Sequence, residues 1–186
     1  MQSTEKIYSD EQLLELAVAD PIAIQREINN RSLFEFVKWA WPAYSSQPFI
    51  ANWHIEYLCN ELEKIAYRVG ERKEKKHDLL INISPGTTKT ALISIMFPVW
   101  CWTKWYWMKF ITCSYSSTLS LESAEYSRDV IKSDLFKTVY PDIGIKTDKD
   151  SKGNFRVVKY ESNITGNRRR ARKEIVGGNR YSTSGS

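Results

Sequence analysis

The segment SPGTTKT, residues 84–90, sets a lysine and a hydroxyl side by side at the end of a short turn. Before it stands DLLINI, residues 78–83, a nearly continuous apolar run, and after it ALISIMF, residues 91–97. A buried strand, a tight turn and an apolar helix are the setting of a phosphate-binding loop. In such a loop the backbone N–H groups of the turn and of the helix start aim at phosphate oxygens, and the helix dipole favours the negative charge. Lys89 stands where it would reach the β- and γ-phosphates of a nucleotide, and the Thr90 hydroxyl where it would hold Mg²⁺. The usual pattern has glycine at its first position and glycine immediately before the lysine. Ile83 and Thr88 occupy those positions here, and only Gly86 remains. Thr88 is β-branched, so it resists positive φ where the backbone would hug phosphate. The competing reading is a solvent-exposed turn whose threonine caps the next helix.

The surrounding elements must hold that loop. The first 45 residues read as a segmented helical region. Ser9 with Gln12 and Ser32 with Glu35 make capping boxes, and Asp20–Pro21 supplies an N-cap with a first-turn proline. WPAYSSQPF, residues 41–49, reads as a loop. From Asn52 the apolar positions Ile55, Leu58, Cys59, Leu62, Ile65, Ala66 and Val69 follow the spacing of one buried helix face, with Gly70 as a left-handed C-cap. The charged run ERKEKKHD, residues 71–78, reads as a solvated connection. DLLINI suits a strand buried on both faces of a parallel sheet. A helix from Ala91 to about Trp102, a strand at Met108–Ser114 and an amphipathic helix at Thr118–Leu135 then predict an α/β sheet with crossover connections. Phe155–Tyr160 and Glu174–Val176 read as edge strands. The division is a helical segment over residues 1–45 and a nucleotide-binding region over 46–186.

Length and composition bound the answer. The 186 residues are 42% apolar and 26% charged, which suits one packed domain and argues against a largely disordered chain. The net charge of +5 is uneven: residues 151–186 carry nine basic and two acidic side chains, and residues 1–150 carry 18 and 20. A polyanion partner is therefore sought first at Arg168, Arg169, Arg170, Arg172 and Lys173, although a solvated loop would have the same composition. Three cysteines with no CxxC spacing predict neither a disulfide scaffold nor a zinc site, and fit a reducing interior. The N-terminus has no apolar signal region, so secretion is not expected. The uncharged stretch Ala91–Thr103 is shorter than the ~20 residues of a membrane span.

Four stretches share a likeness. NWHIEYLCNELEKI ahead of the loop, INISPGTTKTALISIMFPVWCW at it, SYSSTLSLESAEYSRDVIKSDLFKTVYPD after it and the closing GGNRYSTSGS resemble, in order and spacing, the large subunit of tailed-bacteriophage terminases. The resemblance runs from about Ser32 to Ser186. It implies a P-loop NTPase fold of the additional-strand, conserved-glutamate class: a three-layer α/β core with a parallel sheet, incomplete here and preceded by N-terminal helices. It implies the ATP-binding part of a motor that drives double-stranded DNA into procapsids in the host cytoplasm. Implied cofactors are ATP and Mg²⁺; implied partners are DNA, a portal protein, a small terminase subunit and further copies of the chain in a ring. Deviant phosphate loops are usual in that family. Carried over, Lys89 is the loop lysine, Thr90 the Mg²⁺ ligand, and Ser84, Pro85, Gly86, Thr87 and Thr88 the cradle. Trp53 and His54 match the adenine-side motif, where many relatives have Gln in place of His54.

Two features complicate the likeness. An ATPase of this class needs an apolar strand ending in Asp then Glu. No apolar run after Thr90 ends in paired carboxylates, so the chain is expected to be a fragment that binds nucleotide without efficient hydrolysis. Arg128 falls in the apolar stripe of Leu121, Ala124, Ile131 and Leu135. It reads either as a snorkelling residue or partner of Glu125 or Asp129, or, if the chain works in a ring, as an arginine finger at a neighbour's γ-phosphate. A non-enzymatic nucleic-acid or assembly module is the alternative to the motor fragment, and a helicase-like P-loop enzyme a third. Neutralising the 168–173 cluster should weaken DNA binding and flatten its salt dependence in a titration; an affinity indifferent to both would remove the cluster from consideration.

Overall fold

The computed structural model describes residue 11 and residues 20–146, 154–160 and 177–183, the last of these through its backbone alone. The Asp20 carboxylate accepts from the N–H groups of Ile22 at 3.1 Å and Ala23 at 3.0 Å and starts helix α1, Pro21–Arg31. Ser32 Oγ accepts from the Glu35 N–H and starts α2, Leu33–Ala40. The predicted capping box closes on one side only. The Glu35 carboxylate turns to Lys38 at 2.9 Å, and the Ser32 N–H already bonds to the Ile28 carbonyl. The Ser9–Gln12 box lies outside the described residues.

Helix α3, Trp53–Gly70, buries the expected face with Ile55, Leu58, Cys59, Leu62 and Ala66. Gly70 is needed for a different reason than predicted. It does not adopt positive φ; Arg72 does, at 56°. A Cβ on Gly70 would fall inside the Trp105 indole, so glycine is what lets that ring lie on the helix end.

The next helix departs from regular geometry where Pro98 forces it to. Residues Ala91–Met96 are π-helical, and α4, Phe97–Lys104, continues them. Pro98 has no N–H, and its ring would meet the Ser94 carbonyl in a tight α-turn. The Phe97 N–H instead reaches back to Leu92, widening the turn as a π-bulge does.

Strand β1, Phe110–Ser114, was expected and is present. Helix α5, Ser117–Lys132, ends where predicted continuity fails: Ser133 is extended, and its Oγ caps α6, Asp134–Val139. Strands β2, Ile143–Ile145, β3, Asn154–Lys159, and β4, Gly177–Thr183, complete a sheet of order β1-β4-β3-β2. Only β1 and β4 are parallel, with Phe110 opposite Asn179; β4–β3 and β3–β2 are antiparallel. The sheet is therefore mixed, not parallel. The segment expected at an edge, Phe155–Tyr160, lies mostly in interior strand β3; Glu174–Val176 lies outside the described residues.

Asp78–Ile83 was expected to be a fully buried strand beside β1. It joins no ladder among the described residues. Its burial alternates: Leu79, Ile81 and Ile83 pack on the core, while Leu80 is 93% exposed and Asn82 is exposed. The run has the period of a strand with one covered face. β1 repeats this, turning Phe110, Thr112 and Ser114 inward and Ile111 and Cys113 outward. Its outer face is thus open where a three-layer core would cover it.

One core unites these elements. Leu33, Phe36, Val37 and Ala40 of the N-terminal helices join the same cluster as α3, α4 and the sheet. Trp100 Nε1 donates to the Asn29 carbonyl at 2.8 Å, and Arg26 pairs with Asp142 at 2.9 Å. Among the described residues no helix is long and apolar enough to cross a membrane.

Glu63 joins α3 to α2 by accepting from the Leu33 N–H at 2.5 Å. Burial raises its pKa, outweighing the Leu33 N–H, the nearby Lys104 charge and a Ser32 hydrogen bond, which lower it. A carboxyl raised on folding adds stability below its unfolded pKa and loses that share as pH rises through the folded value. Glu63→Gln keeps an acceptor for Leu33 and cannot ionise. Its melting temperature should match the unmutated chain near pH 4 and exceed it at pH 8, as measured by thermal unfolding across that range.

Candidate phosphate-binding loop

Residues 84–90 connect the extended 78–83 run to the buried helix that begins at Lys89. Gly86 has φ +78° and Thr88 has φ +64°, with Thr87 between them at negative φ. Alternating φ signs turn successive N–H groups toward one side, the backbone form of an anion-binding nest. The position before Lys89 thus has the left-handed conformation that glycine usually supplies, held here by a β-branched residue at a cost of order 1–3 kcal/mol.

Side chains close the loop on itself. Lys89 Nζ donates to the Ile83 carbonyl at 2.8 Å, and Thr87 Oγ1 donates to the Ser84 carbonyl at 2.8 Å. Ser84, Pro85 and Gly86 are exposed; Thr87, Thr88 and Lys89 are half-buried. Thr90 is exposed in the first turn of the buried helix, and its side chain makes no cap. The residues fit a nucleotide's phosphates and a divalent cation: left-handed turns, a lysine bonded to a carbonyl rather than to a carboxylate, and an exposed hydroxyl beside it.

The other sequence-predicted residues are not gathered at the loop. Trp53, 80% exposed, and His54 begin α3, their rings 6.0 Å apart and edge-on. They make no hydrogen bond or ring contact with residues 84–90 among the described residues. The His54 Nε2 is buried with no hydrogen-bond partner among the described residues.

Arg128 is buried on α5. The buried face there keeps Ala124, Arg128 and Ile131 of the predicted stripe and loses its two leucines. It runs through Ser120, Ser123, Ala124, Ser127, Arg128 and Ile131, while Leu121 is half-buried and Leu135 is exposed on α6. The serines fit because each hydroxyl donates back to a carbonyl four residues earlier: Ser120 to Ser116, Ser123 to Leu119 and Ser127 to Ser123, at 2.8–3.0 Å. Residues 168–173 lie outside the described residues.

The run 71–78, which reads as a solvated connection in the sequence, instead forms one wall of a cleft. α3 and the 73–79 stretch enclose a cleft of about 320 Å³ lined by Lys64, Arg68, Lys73, Lys75 and Lys76. The i, i+4 spacing of Lys64 and Arg68, followed by the lysine run, was the available signal. A second cleft, about 460 Å³ and apolar, adjoins it at Ile65 and Val69. Neither is lined by residues 84–90.

Compared with protein-family models, with curated proteins and with solved structures, the chain matches none.

The two left-handed positions differ in what they tolerate. Thr88→Gly removes side-chain strain at φ +64° and should raise stability by about 1 kcal/mol, net of glycine's greater unfolded-state freedom. Gly86→Ala meets no neighbour within 4 Å but inherits the strained φ, so it should lower stability by a similar amount. Urea unfolding of both variants checks the pair of opposite signs.

Proposed function

We propose that the chain is the ATP-binding part of a viral DNA-packaging motor, related to the large terminase subunit. The observation that carries this reading is the left-handed Thr88 immediately before Lys89, at the entry to a buried helix. Strain of that kind is kept where a backbone must present its N–H groups to a ligand. Lys89 would leave the Ile83 carbonyl for the β- and γ-phosphates, Ser84–Thr88 would cradle them, and Thr90 would hold Mg²⁺. Trp53 and His54 would contact the base. In the assembled motor the partners would be double-stranded DNA, a portal protein, a small subunit and further copies of the chain in a ring, in the host cytoplasm. The burial of Arg128 favours a packing role in this chain over one reaching a neighbour.

A second reading is a non-enzymatic nucleic-acid or assembly module that keeps the loop without the chemistry. The Lys89–Ile83 bond supports it, because the loop is satisfied without a ligand.

Thermal unfolding with ATP and Mg²⁺ separates the two. At about 100 times its dissociation constant a ligand adds about 2.7 kcal/mol, roughly 5–10 °C in melting temperature for a chain of this size. The unmutated chain should show that rise, Lys89→Ala should lose it, and Thr90→Val should lose its Mg²⁺ dependence. No rise in the unmutated chain would leave the second reading standing.

A further inference from the structure

The cleft between α3 and residues 73–79 gathers positive charge that residues 1–150 taken together do not have. Residues 1–150 hold 18 basic and 20 acidic side chains, yet five of those cations line this one cleft, against the carboxylates of Glu61 and Asp78. They come from two elements. Lys64 and Arg68 are one turn apart on α3; Lys73, Lys75 and Lys76 follow the helix end. The chain is turned back by Arg72 at positive φ and by the Arg68 guanidinium, which donates to the Glu74 carbonyl. That bond fixes the second wall against the first.

The charges are available. Lys64 pairs with Glu61 at 2.6 Å, Lys73 with Glu71 at 2.5 Å and Lys75 with Asp78 at 2.5 Å. All three lysines keep about two-thirds or more of their side chains exposed, so these pairs hold each lysine only weakly. Lys76 has no ion pair among the described residues, and His77 stands beside it in the lining.

Aromatic rings continue the same line. Tyr57, Glu61, Lys64 and Arg68 fall on one face of α3, since steps of four, three and four residues return to the same side of a helix. Tyr57 is 59% exposed, and Trp53, one turn before it, stands exposed on that face too. From Trp53 to Arg68 this stripe is about 22 Å long at the helical rise. Cations that follow a backbone and exposed rings on which bases stack are the two components of single-strand recognition. Stacking on an exposed ring needs an unpaired base, which a single strand offers and a duplex does not.

We infer that the α3–73–79 cleft binds a single nucleic-acid strand, its phosphates along Lys64, Arg68, Lys73 and Lys76 and a base stacked on Tyr57. The inference does not rest on the nucleotide reading of the 84–90 loop.

Fluorescence anisotropy with a labelled thymidine oligonucleotide, from low to high salt and without ATP, tests it on the full chain. The lysines chosen are exposed, so Lys64→Gln/Lys73→Gln/Lys76→Gln should unfold at the temperature of the unmutated chain. It should bind at least tenfold more weakly at low salt. Its slope of log affinity against log salt should fall by about 2, at ~0.7 for each single-strand phosphate that the removed lysines no longer neutralise. Tyr57→Ala should weaken binding roughly 5- to 150-fold, as removal of one stacking ring does, with the salt slope unchanged. A chain neutralised at 168–173 should still be weakened to the same degree by the triple substitution. Affinity and slope unchanged in the triple variant, a duplex bound as tightly as the single strand, or equal displacement by polyglutamate would each overturn the proposal.

Discussion

The burial of the helix from Ala91 to Lys104 is the constraint on which the rest of the molecule depends. Ala91, Leu92, Ile95, Met96, Val99, Trp100, Cys101 and Trp102 are all nearly inaccessible, so the helix is apolar almost all round and must be enclosed. Each neighbour covers part of it. Trp100 reaches α1 through the Asn29 carbonyl, Trp102 packs edge-on against Phe110 of β1 and Phe155 of β3, and α5 lies along its first turns. Burying a side chain of that size is worth about 1.5–3 kcal/mol, so the set outweighs any single hydrogen bond in the chain. The indole N–H groups must then be satisfied internally, and both are: Trp100 at Asn29 and Trp102 at the Met108 carbonyl at 3.0 Å.

That enclosure also positions the loop. A helix gripped on all sides has a fixed N-terminus, and Lys89 and Thr90 are its first residues. The departure from regular geometry lies between them and the grip. Pro98 widens the 91–96 turns, so the start of the helix is not the straight extension of α4. Two non-ideal backbone features, a π-turn and a left-handed threonine, are thus adjacent along the chain. The first has a local cause in Pro98.

The sequence made periodic elements readable and pairing unreadable. α3 was legible because seven apolar residues at helical spacing admit one buried face, and Asp20 and Ser32 because their side chains cap whatever follows. β1 was legible from a short β-branched run. The sheet order was not, because backbone pairing depends on residues far apart: GGNRYST carries little strand propensity, yet it runs between β1 and β3. DLLINI misled for a related reason. A continuous apolar run suits burial on two faces, but Leu80 is left outward because no second layer meets it among the described residues. At the site, the types and order of residues 84–90 were legible, whereas the positive φ at Thr88 ran against its own residue preference. The basic cleft was hidden by its composition, since a run such as ERKEKKHD looks the same whether it is solvated at random or folded against Lys64 and Arg68.

The loop is held unequally from its two sides, and Lys89 bridges them. On the helix side it is fixed by a close-packed core. On the other side, 78–83 joins no ladder among the described residues and is held by Leu79, Ile81 and Ile83 packing on one face. The Lys89–Ile83 bond spans that difference, tying the end of the extended run to the first turn of the helix. A phosphate that drew the ammonium away would release this tie and have to supply its own through the loop's N–H groups. Binding at the loop and the ordering of 78–83 would therefore be coupled through one lysine. The coupling extends further, because Asp78 begins this run and pairs with Lys75 in the basic cleft. A ligand at residues 84–90 and a strand in the cleft would act on opposite ends of the same six residues.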